Sequence, residues 1–372
     1  MTRKTVVHLI HERIGGVGGI QRFDLRVMNA LHEMSEQIGF ALKVISLRDI
    51  SPDAQVPSSL SIHSAGGSYL RLALLLAWTQ LGARVEHVFV GHAKLVRCCL
   101  PARLLFWRTR YRLFVHGVDV WSLDPTRQPK KISRALLDFT VDEIISVSRY
   151  TLQRMATLFR IKHSSVLPNA IDMEQSEPVR AAKTGERRER GYQILSVSRL
   201  DSHDGPKGID FALRAVAILR QQHPLVRYRV VGDGTLRSSL EALAAELGLT
   251  DCVEFAGRVS DAEVVEAFGQ ADVFLLPSRK EGFGIVFLEA WKFGLPVVCG
   301  NVDASCEVVE DGRDGFTVDP LSPQEIASAV GRLLDDPALR ERFVAHGRQK
   351  LATSFSATAF RQNLRRLLES GS

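Results

Sequence analysis

The sequence predicts two doubly wound α/β domains facing a central cleft. Three observations carry this. Short β-branched runs alternate with helical patterns along most of the 372 residues. One charged stretch near the middle interrupts the alternation, which then restarts. Several strand-to-helix turns are rich in glycine. Apolar strands separated by helices imply a parallel sheet covered on both faces. Two rounds of that pattern imply two domains, in keeping with the length of the chain.

In the first half, strands are expected at 6–10, 41–47, 87–90, 112–116, 143–147 and 165–167. Helical patterns fall at 20–34, 68–82 and 149–160. Residues 174–191, EQSEPVRAAKTGERRERG, hold nine charged residues in eighteen and almost nothing to bury. They read as a linker or an exposed crossing. The second half has strands at 192–197, 227–232, 253–257, 272–277, 295–300 and 316–318. Helices are expected at 208–221, 235–247, 260–269 and 284–293, and three further helical stretches finish the chain. The expected organisation is an N-terminal domain 1–173, a linker 174–191, a C-terminal domain 192–355 and a last helix 356–372. No sequence repeat relates the halves.

Hydrophobic residues make up 45% and charged residues 24% of the chain. These proportions exclude a disordered, collagenous or coiled-coil protein. The longest apolar stretch, LALLLAW near residue 75, is too short to span a bilayer. The first residues, MTRKTVVHLIHERIGG, read as a strand, because charged residues interrupt the apolar run and no small-residue cleavage site follows. Five cysteines without CxxC spacing fit a reduced, cytoplasmic chain. Residues 1–172 carry 23 Lys+Arg against 13 Asp+Glu, a net of +10, while the remainder sums to −4. A basic half suits an anionic partner, although basic residues also serve solubility alone.

Ligands of doubly wound folds bind beyond the carboxyl ends of the strands, so the turns there matter most. GGVGGIQRF (15–23) begins like a dinucleotide fingerprint but has Gln21 where the third glycine belongs. Gly18 and Gly19 allow either a tight turn or close approach of an anion to a helix N-terminus. His116, at a strand end before Gly117, suits either substrate contact or a structural backbone bond. Arg199 and Lys207 flank one loop, where two cations can neutralise a diphosphate or stay solvated. Gly232, in VVGDG, is a turn glycine that a flat base could approach. SRKEGFGIVFLEAWKFGLP (278–296) is the most informative stretch. Glu281 precedes Gly282, Phe283 and Gly284, and Glu289 lies in an otherwise apolar helix, where a carboxylate needs a partner.

Taken together and in order, these motifs resemble the retaining glycosyltransferases of family 4, the glycosyl transferases group 1, which have the GT-B fold. The resemblance extends from Gly15 to about Asp319. It rests on EGFGIVFLE, the family's E-x7-E element, with support from SRL…KG around Arg199 and Lys207, LPNAID (167–172) and CEVVEDGRDGFTVDP (306–320). It implies a nucleotide-diphosphate sugar, UDP- or GDP-linked, held mainly by the C-terminal domain. Arg199 and Lys207 match the diphosphate ligands, Glu289 the ribose-binding glutamate and Glu281 the glutamate on the donor sugar. His116 resembles the N-domain histidine near the reacting region, and Gly18 and Gly19 the loop facing diphosphate and acceptor. The backbone of Gly282, Phe283 and Gly284 faces an anion or sugar oxygen. The sequence departs from the pattern in the SHDGP stretch between Leu200 and Lys207, and in Gly117, where other members often carry Asp.

The reaction implied is transfer of a hexose to a hydroxyl of a glycan or lipid-linked acceptor in cell-envelope or exopolysaccharide synthesis. Attack is from the front face, and the leaving phosphate accepts the proton. Arg199 and Lys207 make a metal unnecessary, no DxD motif appears, and no cofactor beyond the donor is expected. Two other classes share part of the pattern: an NAD(P)-dependent oxidoreductase, for which Asp49 lies near the required acidic position, and a non-enzymatic sugar- or nucleic-acid-binding module. The incomplete fingerprint counts against the first and the lack of a DNA-binding motif against the second. Two segments carry further expectations. In RCCLPARLLFWRTRYR (97–112), Arg97, Arg103, Arg108, Arg110 and Arg112 are interleaved with Leu104, Leu105, Phe106, Trp107 and Tyr111. This suits peripheral docking on the inner face of the cytoplasmic membrane, or else a core helix followed by a solvated turn, and Pro101 should interrupt a continuous helix. The last helix, with Phe360, Leu364, Leu367 and Leu368 on one face, is expected to pack back on the N-terminal domain.

Overall fold

The computed structural model describes residues 4–16, 18–52, 54, 56–121, 131–172, 191–201 and 207–370. The charged stretch 174–190 and the SHDGP residues 202–206 lie outside them, as does Val17. The chain divides into two compact units, Met1–Asn169 with Ala357–Ser372, and Ala170–Ser356.

The first unit runs β1 (Thr5–Ile10), α1 (Gly19–Ile38), β2 (Ala41–Ser46), β3 (Ile62–Ser64), α2 (Tyr69–Gly82), β4 (Val85–Val90), α3 (Val96–Leu105), β5 (Arg110–Val115), α4 (Gly117–Trp121), α5 (Lys131–Thr140), β6 (Glu143–Ser146), α6 (Arg149–Ala156) and β7 (His163–Val166). The seven strands form one parallel sheet in the order β3-β2-β1-β4-β5-β6-β7. Every residue of β1 is buried, as expected for a central parallel strand with helices on both faces. The strand order reverses between β1 and β4.

The second unit runs β8 (Gln193–Val197), α7 (Ile209–Leu219), β9 (Arg227–Val231), α8 (Arg237–Glu246), β10 (Val253–Gly257), α9 (Asp261–Gln270), β11 (Val273–Leu276), α10 (Ile285–Lys292), β12 (Val297–Gly300), α11 (Ser305–Val308), β13 (Gly315–Val318), α12 (Pro323–Asp335) and α13 (Pro337–Ser354). Its six parallel strands are ordered β10-β9-β8-β11-β12-β13, so the order reverses between β8 and β11. Local signals set the helix starts. Ser260 and Glu263 form a reciprocal capping box at α9. Ser322-Pro323 and Asp336-Pro337 place a capping side chain just before a proline, where the missing N–H costs nothing.

The last helix, α14 (Ala357–Glu369), clusters with the first unit. Phe360 packs edge-on to Phe23 of α1 at 5.7 Å, and Arg361 pairs with Glu33.

Segment 97–112 differs from its expectation as one interfacial piece. Helix α3 runs through Pro101, because Val96, Cys98, Cys99 and Ala102 are packed in the core and that burial outweighs one lost backbone bond. Tyr111 and Arg112 belong to β5 and are buried, Arg112 in an ion pair with Glu143 at 2.9 Å. Arg103 is joined to Asp142 through both terminal nitrogens. Among the described residues, no helix is long and apolar enough to cross a membrane.

Candidate donor site

In an open parallel sheet the loops diverge where the strand order reverses, and the crevice there receives ligands. In the second unit the loop after β8 carries Arg199 and Lys207. The loop after β11 carries Glu281, Gly282, Phe283 and Gly284. A glycine brings the loops together. Gly208, with φ of 72°, precedes α7, and a Cβ there would lie 2.0 Å from the Pro277 carbonyl oxygen. No other residue allows the start of α7 to touch the end of β11 in this way. Lys207 thereby reaches across. Its Nζ lies 2.5 Å from Glu281 Oε1 and 3.4 Å from the Lys280 carbonyl oxygen. Arg199 is exposed on the same loop.

Glu281 is also held from behind. Its backbone N–H donates to Asp303 Oδ2 at 2.7 Å, and the Ser305 N–H donates to Asp303 Oδ1 at 2.9 Å. Asp303 is buried; burial first, and then the charge of Glu281, push its carboxyl up to about 6. Asp303 belongs to none of the sequence motifs. The sequence signal for it is a short acidic side chain just beyond an apolar strand and just ahead of Ser305, the pattern of an Asx turn.

Gly284 adopts φ of 90° before α10, where a Cβ would fall 2.3 Å from the Phe287 ring. The Phe283 ring is buried edge-on to Phe355 at 5.6 Å, so its backbone, rather than its ring, is what a ligand can meet. Glu289 is half-buried on α10 among Phe287, Leu288, Ala290 and Trp291, all buried. One turn on, Lys292 donates to the Asp172 carbonyl at 2.7 Å. Gly232 has a local duty. Its φ is 135°, and a Cβ would fall 1.8 Å from the Ser198 carbonyl oxygen, so the end of β9 packs directly on the loop after β8.

The first unit builds a polar cluster beyond its own strand ends. Gly18, with φ of 146°, precedes α1, and Gly19 is the first residue of that helix. A Cβ at Gly18 would lie 2.3 Å from Gln21 Oε1. Gln21, the residue that breaks the dinucleotide fingerprint, thus folds over Gly18. His116 follows β5, buried, with Phe23 edge-on at 4.9 Å. Burial lowers its pKa to about 4 against the opposing pull of Asp119, so the ring is neutral at pH 7. Its N–H on the backbone donates to Asp119 Oδ2 at 2.8 Å, and its Nε2 has no hydrogen-bond partner among the described residues. Asp119 also lies 3.4 Å from His92 Nδ1, and the His92 ring lies 4.8 Å from that of His11, tilted at 34°. Asp24 is buried on α1, 3.5 Å from His8. The apolar stripe of α1 carried the signal for it, since Asp24 falls among Phe23, Val27, Met28 and Leu31.

Both sheets are doubly wound, and the second unit has a lysine–glutamate pair at its reversal point and a second glutamate eight residues further along. The family description "Glycosyl transferases group 1" matches residues 180–350. A GDP-mannose-dependent alpha-(1-6)-phosphatidylinositol monomannoside mannosyltransferase of Mycobacterium tuberculosis is 34% identical over 278 residues, covering 71% of this chain and 69% of that one. The chain belongs to the group 1 glycosyltransferases, family 4. Solved structures show the fold to be GT-B. Sucrose-phosphate synthase of Thermosynechococcus elongatus superimposes with a TM-score of 0.76 at 19% identity, over 99% of both chains. HepE of Anabaena, in complex with UDP and glucose, gives 0.75 at 18% identity, over 98% of this chain and 99% of that one. The dehydrogenase alternative is not favoured: the family is a transferase family, and the Gly18 turn is closed by Gln21.

Proposed function

We propose that this glycosyltransferase moves a hexose, with retention and without a metal, from a GDP- or UDP-linked donor to a hydroxyl of a glycan or lipid-linked acceptor at the cytoplasmic face of a membrane. GDP-mannose is the first donor to try, in view of the mycobacterial relative's name. The observation that carries the reading is the Lys207–Glu281 pair where the strand order reverses. It sets a cation and a sugar-bonding carboxylate side by side. An ammonium has three donors. With one on Glu281, Lys207 retains capacity for a phosphate oxygen, and Arg199 adds a planar cation from the same loop. Together they oppose the charge that develops on the leaving diphosphate.

Glu289 takes the ribose hydroxyls and Glu281 the hydroxyls of the transferred sugar. The backbone of Gly282, Phe283 and Gly284 lies at the N-terminus of α10, where free amides favour negative charge. Gly18 and Gly19 play the corresponding part at α1. Gly232 shapes the floor on which the base rests. A neutral His116 offers Nε2 to a sugar hydroxyl rather than a positive charge to phosphate. The acceptor hydroxyl attacks from the face the diphosphate leaves, and a departing phosphate oxygen takes its proton. Cell-envelope or exopolysaccharide synthesis is the setting. Thermal-shift measurement with GDP-mannose, UDP-glucose, ADP-glucose and NAD tests the reading. Stabilisation by a GDP- or UDP-sugar is expected, and stabilisation by NAD alone would overturn it.

A further inference from the structure

We infer that the first unit docks on an anionic phospholipid bilayer through the outer face of α2 and the end of α3. The core accounts for only one side of α2. Leu72, Leu76, Thr79 and Gln80 are buried, whereas Leu70, Leu74, Trp78 and Leu81 project from the opposite side at helical spacing. On the neighbouring α3 and the turn after it, Leu104, Leu105 and Trp107 project as well. All seven are between 62% and 76% exposed. A soluble surface rarely concentrates large apolar side chains in this way.

The two patches are fastened together. Helix α2 packs on α3. Gln80, near the end of α2, donates to the Tyr111 hydroxyl at 2.7 Å and accepts from Thr109 Oγ1 at 3.2 Å. Both helices therefore bring their carboxyl ends to the edge of the sheet where the strands begin.

Charge identifies the occupant. Beside Trp107 opens a cavity of about 930 Å³ whose wall includes Arg103, Arg108, Arg110, Arg112 and Lys162. Its two acidic residues, Asp142 and Glu143, are already paired with Arg103 and Arg112. Arg108, Arg110 and Lys162 remain in excess, and neither of these arginines makes an ion pair among the described residues. The Arg108 guanidinium lies 5.0 Å over the Trp107 ring. Helices α2 and α3 contain no acidic residue. A protruding apolar stripe, indole rings at its rim and a basic hollow alongside match the layers of an anionic bilayer, with acyl chains, interface and headgroup phosphate in that order. Compared with the segment 97–112 read from sequence, the structure removes Tyr111 and Arg112 from the exposed set and adds α2.

The inference deepens the lipid-linked branch of the proposed function and rests on it for its purpose. Docking is nonetheless read without donor or acceptor, so its failure would leave sugar transfer standing. The experiment is sedimentation of the full chain with vesicles of phosphatidylcholine, alone or with about 30% phosphatidylglycerol, at low and high salt. Two variants accompany the wild type, Trp78→Ser/Leu81→Ser and Arg108→Glu/Arg110→Glu, both on the surface and both checked by circular dichroism. Wild type is expected to bind the anionic vesicles and to be released by salt. Each variant is expected to lose at least about tenfold in partitioning. Tryptophan emission should shift to the blue on binding in the wild type and in the arginine variant at saturating lipid. Three outcomes would overturn the inference: no binding to anionic vesicles at low salt, binding unchanged in both variants, or a dimer in solution that the Trp78/Leu81 variant dissolves, which would make the face a contact between copies.

Discussion

Glu281 and Glu289 lie on one short loop-and-helix segment, and the proposed function gives them different work. Glu289 is half-buried in α10, where a hydroxyl partner is worth most. Replacing it with alanine is expected to weaken donor affinity about 10- to 100-fold, the loss of one or two charge-assisted hydrogen bonds. Glu281→Ala should instead lower turnover with a smaller change in affinity. Titration calorimetry with the donor and initial rates on both variants check the division, and near-wild-type behaviour of both would remove the assignment. Asp303 acts one step behind. Its carboxyl titrates near 6 in the folded chain and near 3.8 when unfolded. Between those values the native state holds more protons than the unfolded one, so this group's contribution to stability falls as pH rises. Asp303→Asn removes that slope. The stability of wild type relative to the variant should drop by on the order of 3 kcal/mol from pH 4 to pH 7, measured by urea unfolding at each pH. A pH-independent difference would mean that Asp303 titrates normally.

Among the elements, α14 is the most exposed to test. It follows the whole second unit in sequence yet buries Phe360, Leu364, Leu367 and Leu368 in the first. Phe360→Ala should cost about 3–5 kcal/mol, because the ring edge against Phe23 is lost along with its buried area. Denaturant unfolding measures it directly. Deleting everything after Phe355 removes the same contacts and should lower the melting temperature and the activity together. Unchanged melting would show the helix to be dispensable. The local code for α14 is its apolar periodicity, which says that one face is buried but not against what. Its partner stripe on α1 lies more than three hundred residues earlier.

At the scale of the molecule, the proposed chemistry draws its positive charge from side chains, Arg199 and Lys207, and from helix termini. Activity is therefore expected to persist in EDTA, at rates within about twofold of the untreated enzyme. Loss in EDTA with recovery on adding magnesium or manganese would contradict this. The assay needs only a donor identified by thermal shift and an acceptor extract.

Much of this protein could be read without coordinates. The alternation of apolar runs and helical patterns is local, with periods of two and 3.6 residues, and most strand and helix positions followed from it, the helix Lys131–Thr140 being an exception. So did the two rounds of a doubly wound fold and the EGFGIVFLE segment with its two glutamates. What local pattern misses is decided by packing. The strand Ile62–Ser64 is only three residues long, too short for a periodic signal, and forms because β2 offers it an edge. Helix α3 survives Pro101 because the core needs its buried face. Arg112 looked like a surface cation and became a buried partner of Glu143, since residue 112 falls within a central strand. The outer stripe of α2 runs through LALLLAW and beyond both its ends, and the leucines there point both ways around the helix. Above all, Lys207 and Glu281 are seventy-four residues apart in sequence. Each is ambiguous alone, and they form a pair only because the sheet reverses its strand order between β8 and β11 and a glycine at 208 lets the two loops touch.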